Sequence, residues 1–236
     1  MNAIARHTVR ITLREPGPAV SRIISPLVLM ALMVPLYRAG FPGAEGTRRA
    51  VIGPLVLFSM LCLSVVGNAL LAERLWHTLD RLRATPVSGA ALIAGKCSVP
   101  MMIILVQQVA TLAVGALVFG LTVENPVLLG VAGGVWAVTI LCLGAALATA
   151  LRTPSAMSAT TDITSLASGA LSGALVPATA LPGWAREIAP VAPGYWAVRA
   201  FDGALTGAVS TTVGACAVLL AVALAAGAFA ARRLTR

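Results

Sequence analysis

Residues 97–151 read CSVPMMIILVQQVATLAVGALVFGLTVENPVLLGVAGGVWAVTILCLGAALATAL. One charge, Glu124, divides this stretch into two charge-free runs, Cys97–Val123 and Asn125–Leu151, each of 27 residues. A helix crosses the hydrocarbon core of a bilayer with about 20 apolar residues, so either run is long enough. Asn125-Pro126 is a turn signal placed directly after Glu124. The two runs therefore fold back on one another as a hairpin of membrane-spanning helices, and the fold class is an all-α membrane protein.

The same pattern continues on both sides. Ala50–Ala72 and Ile163–Ala185 are charge-free blocks of 23 residues, and Gly203–Ala231 is one of 29. The first block, Ile23–Tyr37, has only 15 residues between Arg22 and Arg38. It becomes long enough if the helix starts near Ala19 and Arg22 snorkels to the interface on its aliphatic stem. Six spans are thus expected, at 19–39, 50–72, 97–121, 126–151, 156–177 and 204–231, in a single transmembrane domain over 1–236.

Composition agrees. Of 236 residues 58% are hydrophobic and 11% charged, with a mean hydropathy of +0.93. A soluble domain is about 45–50% apolar and about 25% charged, so a soluble enzyme, a disordered tail and a nucleic-acid-binding domain are excluded. The net charge of +9 is better explained by basic loops held on the cytoplasmic side than by nucleic acid. With six spans and a cytoplasmic N-terminus, Arg6, Arg10, Arg14, Arg22, Arg74, Arg81, Arg83, Lys96, Arg152, Arg232, Arg233 and Arg236 lie inside. Arg38, Arg48, Arg49, Arg186 and Arg199 lie outside, a split of 12 to 5 among the 17 basic residues. Both termini are therefore expected in the cytoplasm. The preference for Arg over Lys, with abundant Ala and Gly, fits a GC-rich bacterial genome and hence a bacterial plasma membrane.

Two segments outside the spans carry pattern. In residues 1–15, Arg6, Arg10 and Arg14 share one helical face and Ile4, Thr8 and Ile11 a less polar one, before Pro16-Gly17-Pro18. An interfacial amphipathic helix is expected there. The longest cytoplasmic connection, ERLWHTLDRLRATPVSGAALIAGK from Glu73 to Lys96, places Leu75, Leu79 and Leu82 at helical spacing. Thr85-Pro86 ends that pattern. Such a helix must bury its leucines on the bilayer surface or on a partner protein.

This connection resembles the ABC-2 family of ATP-binding-cassette transporter permeases, whose members carry a pattern close to E-R-E-x-G-T-L-E-R-L-x-x-T-P-V-S followed by G-K. Glu73, Arg74, Thr78, Leu79, Arg81, Leu82, Thr85, Pro86, Val87, Ser88, Gly95 and Lys96 match it. Leu75 stands where an acid is usual, His77 where Gly is usual, and Asp80 where Glu is usual. The resemblance implies that residues 73–86 form a coupling helix between spans two and three that docks on a separate ATPase subunit. Leu181-Pro182-Gly183-Trp184, Pro190 and Pro193-Gly194-Tyr195-Trp196 are similar to a second family segment. It implies re-entrant short helices over 178–202, between spans five and six. Pro182, Trp184, Pro193, Tyr195 and Trp196 fit that reading independently, as helix breakers and interface-seeking aromatics.

Catalytic chemistry finds little support. Gly89 to Lys96 mimics a phosphate-binding loop, but five residues rather than four separate Gly89 from Gly95, and Cys97 follows Lys96. The only histidines, His7 and His77, lie outside the spans. Cys62, Cys97, Cys142 and Cys216 stand apart in apolar stretches as small core residues. No metal centre is expected and the chain is not expected to be an enzyme. No cofactor is expected on this chain; ATP and Mg belong, by the resemblance, to the ATPase partner.

Polar residues within the spans are the remaining candidates. Asn68, Gln107, Gln108 and Asp162 either line a pathway or hydrogen-bond between helices. Asp162 either receives a cation or proton, or sits capped near the cytoplasmic headgroups. Ser165, Gly169 and Gly173 form a small-residue stripe that permits close helix approach within the chain or at a dimer seam. The resemblance implies two permease copies, as a homodimer or similar heterodimer, with lipid around them and no nucleic acid. The function so implied is ATP-driven export of a hydrophobic or amphipathic substrate, such as a drug, antibiotic or lipid-like molecule, by alternating access. This is similar to drug-resistance exporters of the daunorubicin type. The alternatives are a proton-coupled secondary transporter using Asp162 and a non-transporting membrane assembly subunit.

Overall fold

The computed structural model describes residues 17–41, 43–75, 89–173 and 181–234, with side chains at all of these except 18, 19, 72–75, 89–96 and 234. The expected interfacial helix at 1–15 lies outside the described residues, as do Thr78, Leu79, Arg81, Leu82, Thr85 and Pro86 of the expected coupling helix.

All regular structure among the described residues is helical. In chain order the helices are α1 (Gly17–Gly40), α2 (Ala44–Leu61), α3 (Leu63–Leu75), α4 (Gly89–Phe119) and α5 (Pro126–Ala150). They continue as α6 (Pro154–Leu171), α7 (Gly183–Ile188), a 3-10 turn (Ala189–Val191), α8 (Pro193–Leu205) and α9 (Val209–Leu234). Five stretches are long and apolar enough to cross a membrane: Val20–Gly40, Ala44–Leu71, Cys97–Phe119, Pro126–Ala150 and Val209–Arg233.

The hairpin read from residues 97–151 forms as α4 and α5. Asn125 caps α5 by accepting from Leu128 N at 3.1 Å, and Pro126 occupies the first turn, where its missing N–H costs nothing. Gly120 at φ 66° lets the chain leave α4.

Several boundaries differ from expectation. The second span starts at Ala44 rather than 50, six residues into a charged stretch, because Arg48 and Arg49 are paired with Asp202 and Glu45. The last span starts at Val209 rather than 204. Residues up to Leu205 belong to α8, and Gly207 at φ 69° turns the chain between the two helices. The expected fifth span, 156–177, corresponds to α6, an 18-residue helix that stops at Leu171. Ser155, Ser158, Thr160, Thr161, Asp162, Thr164 and Ser165 dilute its apolar content. It is therefore not among the five helices that meet the length and hydropathy needed to cross, against six expected spans.

The second span is continuous in course but broken at one residue. Cys62 N donates to Ser59 O at 3.1 Å, a tightened three-residue step, while Cys62 Sγ takes Phe58 O at 3.4 Å. Pro54 further up removes a ladder donor. Side chains that bond back to the preceding turn bend helices in this way.

The α2 segment is the centre of the molecule, with Val51, Leu55, Val56 and Met60 fully buried. It packs on α1, α4, α6 and α8, while α5 packs chiefly on α9 and α3. One core joins Met30 and Val34 of α1, Ile104 of α4, Trp136 and Ile140 of α5, Phe201 of α8 and Leu219 of α9.

Candidate functional site

Polar groups gather at three levels of this bundle. At the end where α1 begins, an open pocket of about 280 Å³ lies between α1, α3 and α6, lined by Ser21, Arg22, Ser64, Val65, Asn68 and Ser158. Arg22 is half-buried, and its Nη2 donates to Ser64 Oγ at 3.1 Å. Ser64 Oγ in turn donates to Leu61 O at 2.9 Å, just past the break in the second span. Among the described residues no carboxylate lines the pocket.

At mid-depth, Gln107 of α4 ties that helix to α2. Its Oε1 lies 2.9 Å from Ser59 Oγ, and its Nε2 donates to Leu55 O at 3.4 Å. Gln108 is also buried and presses on α5, where a Cβ at Gly133 would come within 2.8 Å of Gln108 Oε1. Gln107 is thus fully used in joining helices, whereas Gln108 Nε2 is buried without a partner. Asn68 Oδ1, Trp136 Nε1, Thr161 Oγ1 and Ser165 Oγ are in the same condition. Buried polar atoms are ordinarily paired with protein or water, so these are isolated polar points in an apolar body.

Helix α6 has two unlike faces. Met157, Thr161, Ser165, Ser168 and Gly169 are buried against α2, α3 and α8. Asp162 lies on the opposite, exposed face with Ile163 and Leu166. Of the expected small-residue stripe, Ser165 and Gly169 point into the chain itself, and Gly173 sits half-buried in the turn after α6. Asp162 and these buried polar atoms are therefore not brought together.

At the far end the helices are tied by charge. Arg48 of α2 pairs with Asp202 of α8, and Arg49 pairs with Glu45 at 2.8 Å while its guanidinium lies 4.9 Å from the Phe41 ring centre. Arg38 donates to Phe119 O at 2.6 Å and to Thr47 Oγ1 at 2.9 Å, joining α1, α2 and α4.

After α6 the described chain resumes at residue 181, and α8 packs on α2, α5, α6 and α9. Pro182 precedes α7 and Pro193 opens α8. Gly194 N donates to Ser168 Oγ at 3.1 Å, and a Cβ at Gly194 would come within 3.5 Å of Met60 Sδ. At about 1.5 Å per residue, α8 thus runs about 12 Å along α2, from Gly194 beside Met60 to Asp202 beside Arg48. Trp184 is exposed, while Trp196 Nε1 donates to Pro190 O at 2.7 Å. Tyr195 and Trp196 meet edge to face at 5.3 Å, and Arg199 lies over both rings.

Of the expected coupling residues, Glu73, Arg74 and Leu75 form the last turn of α3, which leads out of the bundle at the pocket end. Sequence reasoning missed the Arg22–Ser64 contact, the Arg48–Asp202 pair and the buried Thr161. A charge at the edge of an apolar block is the signal that pointed to Arg22; serines 21, 64 and 158 share no periodicity that could join them.

A search of curated proteins finds no matching relative. The family model of the ABC-2 type transporter matches residues 1–206, which takes in the pocket helices, the second-span break and α8. With five helices among the described residues long and apolar enough to cross a bilayer, the chain is a multi-pass membrane protein that belongs to the ABC-2 type transporter family.

Proposed function

We propose that this chain is the permease subunit of an ATP-driven exporter in a bacterial plasma membrane, working with a separate ATPase subunit and a second permease copy. The observation that carries this reading is the asymmetry of the bundle. Its far end is tied across helices by the Arg48–Asp202, Arg38–Thr47 and Arg38–Phe119 contacts. The other end holds an open polar pocket beside the helix that leads into the coupling segment. A transporter works by differing affinity between an inward and an outward state, and this arrangement suits the inward one.

In this reading both termini are cytoplasmic, so the pocket faces the inner leaflet and Arg48 and Asp202 the outside. Residues 73–86 dock on the ATPase through Leu75, Leu79 and Leu82. ATP-driven movement of the coupling helix pulls on α3 and so on Ser64 and Asn68, closing the pocket below. Release to the outside requires the ties between α2 and α8 to part. The cargo is hydrophobic or amphipathic, consistent with an apolar body that is polar only at isolated points.

The test is co-purification with the ATPase followed by transport in vesicles. The double variant L79A/R81E is expected to insert normally and to lose ATPase association. Association at the wild-type level would count against the coupling role, and transport that follows a proton gradient without the ATPase would replace this reading with a secondary transporter.

A further inference from the structure

We propose that the pocket between α1, α3 and α6 binds the phosphate of a membrane amphiphile's headgroup, with the Arg22 guanidinium as its counter-ion. The inference rests on the membrane-spanning reading of this family member; it does not need the ATP-driven export step.

Among the described residues, Arg22 is the one charged residue of the pocket lining. Its protein contact there is a neutral hydroxyl, Ser64 Oγ, and among the described residues it has no ion pair. A half-buried guanidinium at the edge of a bilayer is costly unless an anion faces it, and arginine's planar fork suits phosphate oxygens. Ser158 and the Asn68 amide add groups able to donate, whereas the Ser64 hydroxyl gives its proton to Leu61 O. A cation site would show the opposite, with carboxylates turned inward. Asn68 adds a buried Oδ1 with no partner, an acceptor suited to a headgroup hydroxyl or amine.

Size agrees. The volume, about 280 Å³, is several times the ~30 Å³ share of one water, which leaves room for a headgroup. Ser21 and Ser158 at the mouth are exposed, and the same two helices expose Ile24, Val28, Ile163 and Leu166 further on, an apolar continuation for acyl chains.

The test uses the purified full-length chain in detergent without its ATPase, and measures retained lipid by native mass spectrometry. The probes are phosphatidylglycerol, diacylglycerol with the same chains, and glycerol phosphate as competitor. Wild type is expected to retain phosphatidylglycerol over diacylglycerol. R22Q is expected to lower that retention about tenfold or more, the scale of one charge-assisted hydrogen bond, and R22K to keep most of it. S158F plugs the mouth without touching the charge and should lower retention similarly, so it decides the matter if R22Q does not fold. Equal retention of phosphatidylglycerol and diacylglycerol, or wild-type retention by S158F and any folded R22Q, overturns the proposal. Displacement by an equimolar amount of glycerol phosphate overturns the lipid source and assigns the pocket to soluble phosphates. A failed ATPase association leaves these results unchanged, and a failed lipid result leaves the coupling test unchanged.

Discussion

Gly46 shows how little room separates α1 from α2. A Cβ at this position would stand 2.7 Å from Tyr37 O and 2.9 Å from Tyr37 C, both backbone atoms that cannot rotate aside. G46A is expected to lower stability by about 1–3 kcal/mol, the usual cost of overpacking. Gly130 of α5 is the counterpart, with nothing within 4 Å of its ideal Cβ. G130A should be neutral or stabilise by up to about 1 kcal/mol, since alanine is the better helix former. Thermal unfolding of the two variants in the same detergent separates these outcomes. The Arg48–Asp202 pair invites a larger claim than its surroundings allow. The two side chains keep 22% and 45% of their exposure. A double-mutant cycle of R48Q and D202N is expected to give a coupling no greater than about 1 kcal/mol. The pair aligns α8 against α2 more than it stabilises the fold, which suits a contact that must part during transport.

At the scale of elements, packing rather than water expulsion holds the helices together. Lipid tails are as apolar as the core, so burying a side chain against a neighbouring helix gains little transfer energy. What remains on truncation is the void. Phe201 of α8 is fully buried. F201A removes about 100 Å³ of side chain, and at about 24 cal/mol per Å³ of residual cavity the loss is about 2 kcal/mol. Chemical unfolding in mixed micelles measures it, and a loss under about 0.5 kcal/mol would mean that α8 is not firmly seated. The elements themselves were legible wherever charge was absent. The hairpin of α4 and α5 follows from one Glu and one Asn-Pro, because a hydrocarbon slab accepts little else than uninterrupted helix. Their limits were less legible. Ala44 starts a helix through two arginines only because Asp202, over 150 positions away, and Glu45 neutralise them. The extension of α8 to Leu205, at the cost of the last span, depends on a Gly207 turn inside a block that reads as continuously apolar. The pocket was the least legible of all. It joins residues from three helices, and nothing in the order of the chain brings Ser21, Ser64 and Ser158 together.

For the whole molecule, orientation is the property on which the functional reading turns. The residues at the far end, such as Glu124, and those at the pocket end, such as Ser155, lie at opposite ends of α5 and α6. In a chain cleared of its native cysteines, a cysteine at position 124 is expected to react with an impermeant thiol reagent in intact cells, and one at 155 only after lysis. The reverse pattern would place the coupling segment outside the cell, where no ATPase could reach it. The break at Cys62 then acquires a mechanical meaning. Above it, α2 is tied to α1 and α8 through Arg38 and Arg48; below it, α3 is held to α1 by the Arg22–Ser64 hydrogen bond. If the chain works as the proposed permease, a pull transmitted through residues 73–86 meets the α1–α3 contact before it meets the ties around Arg48, so the pocket end is reshaped before the far end.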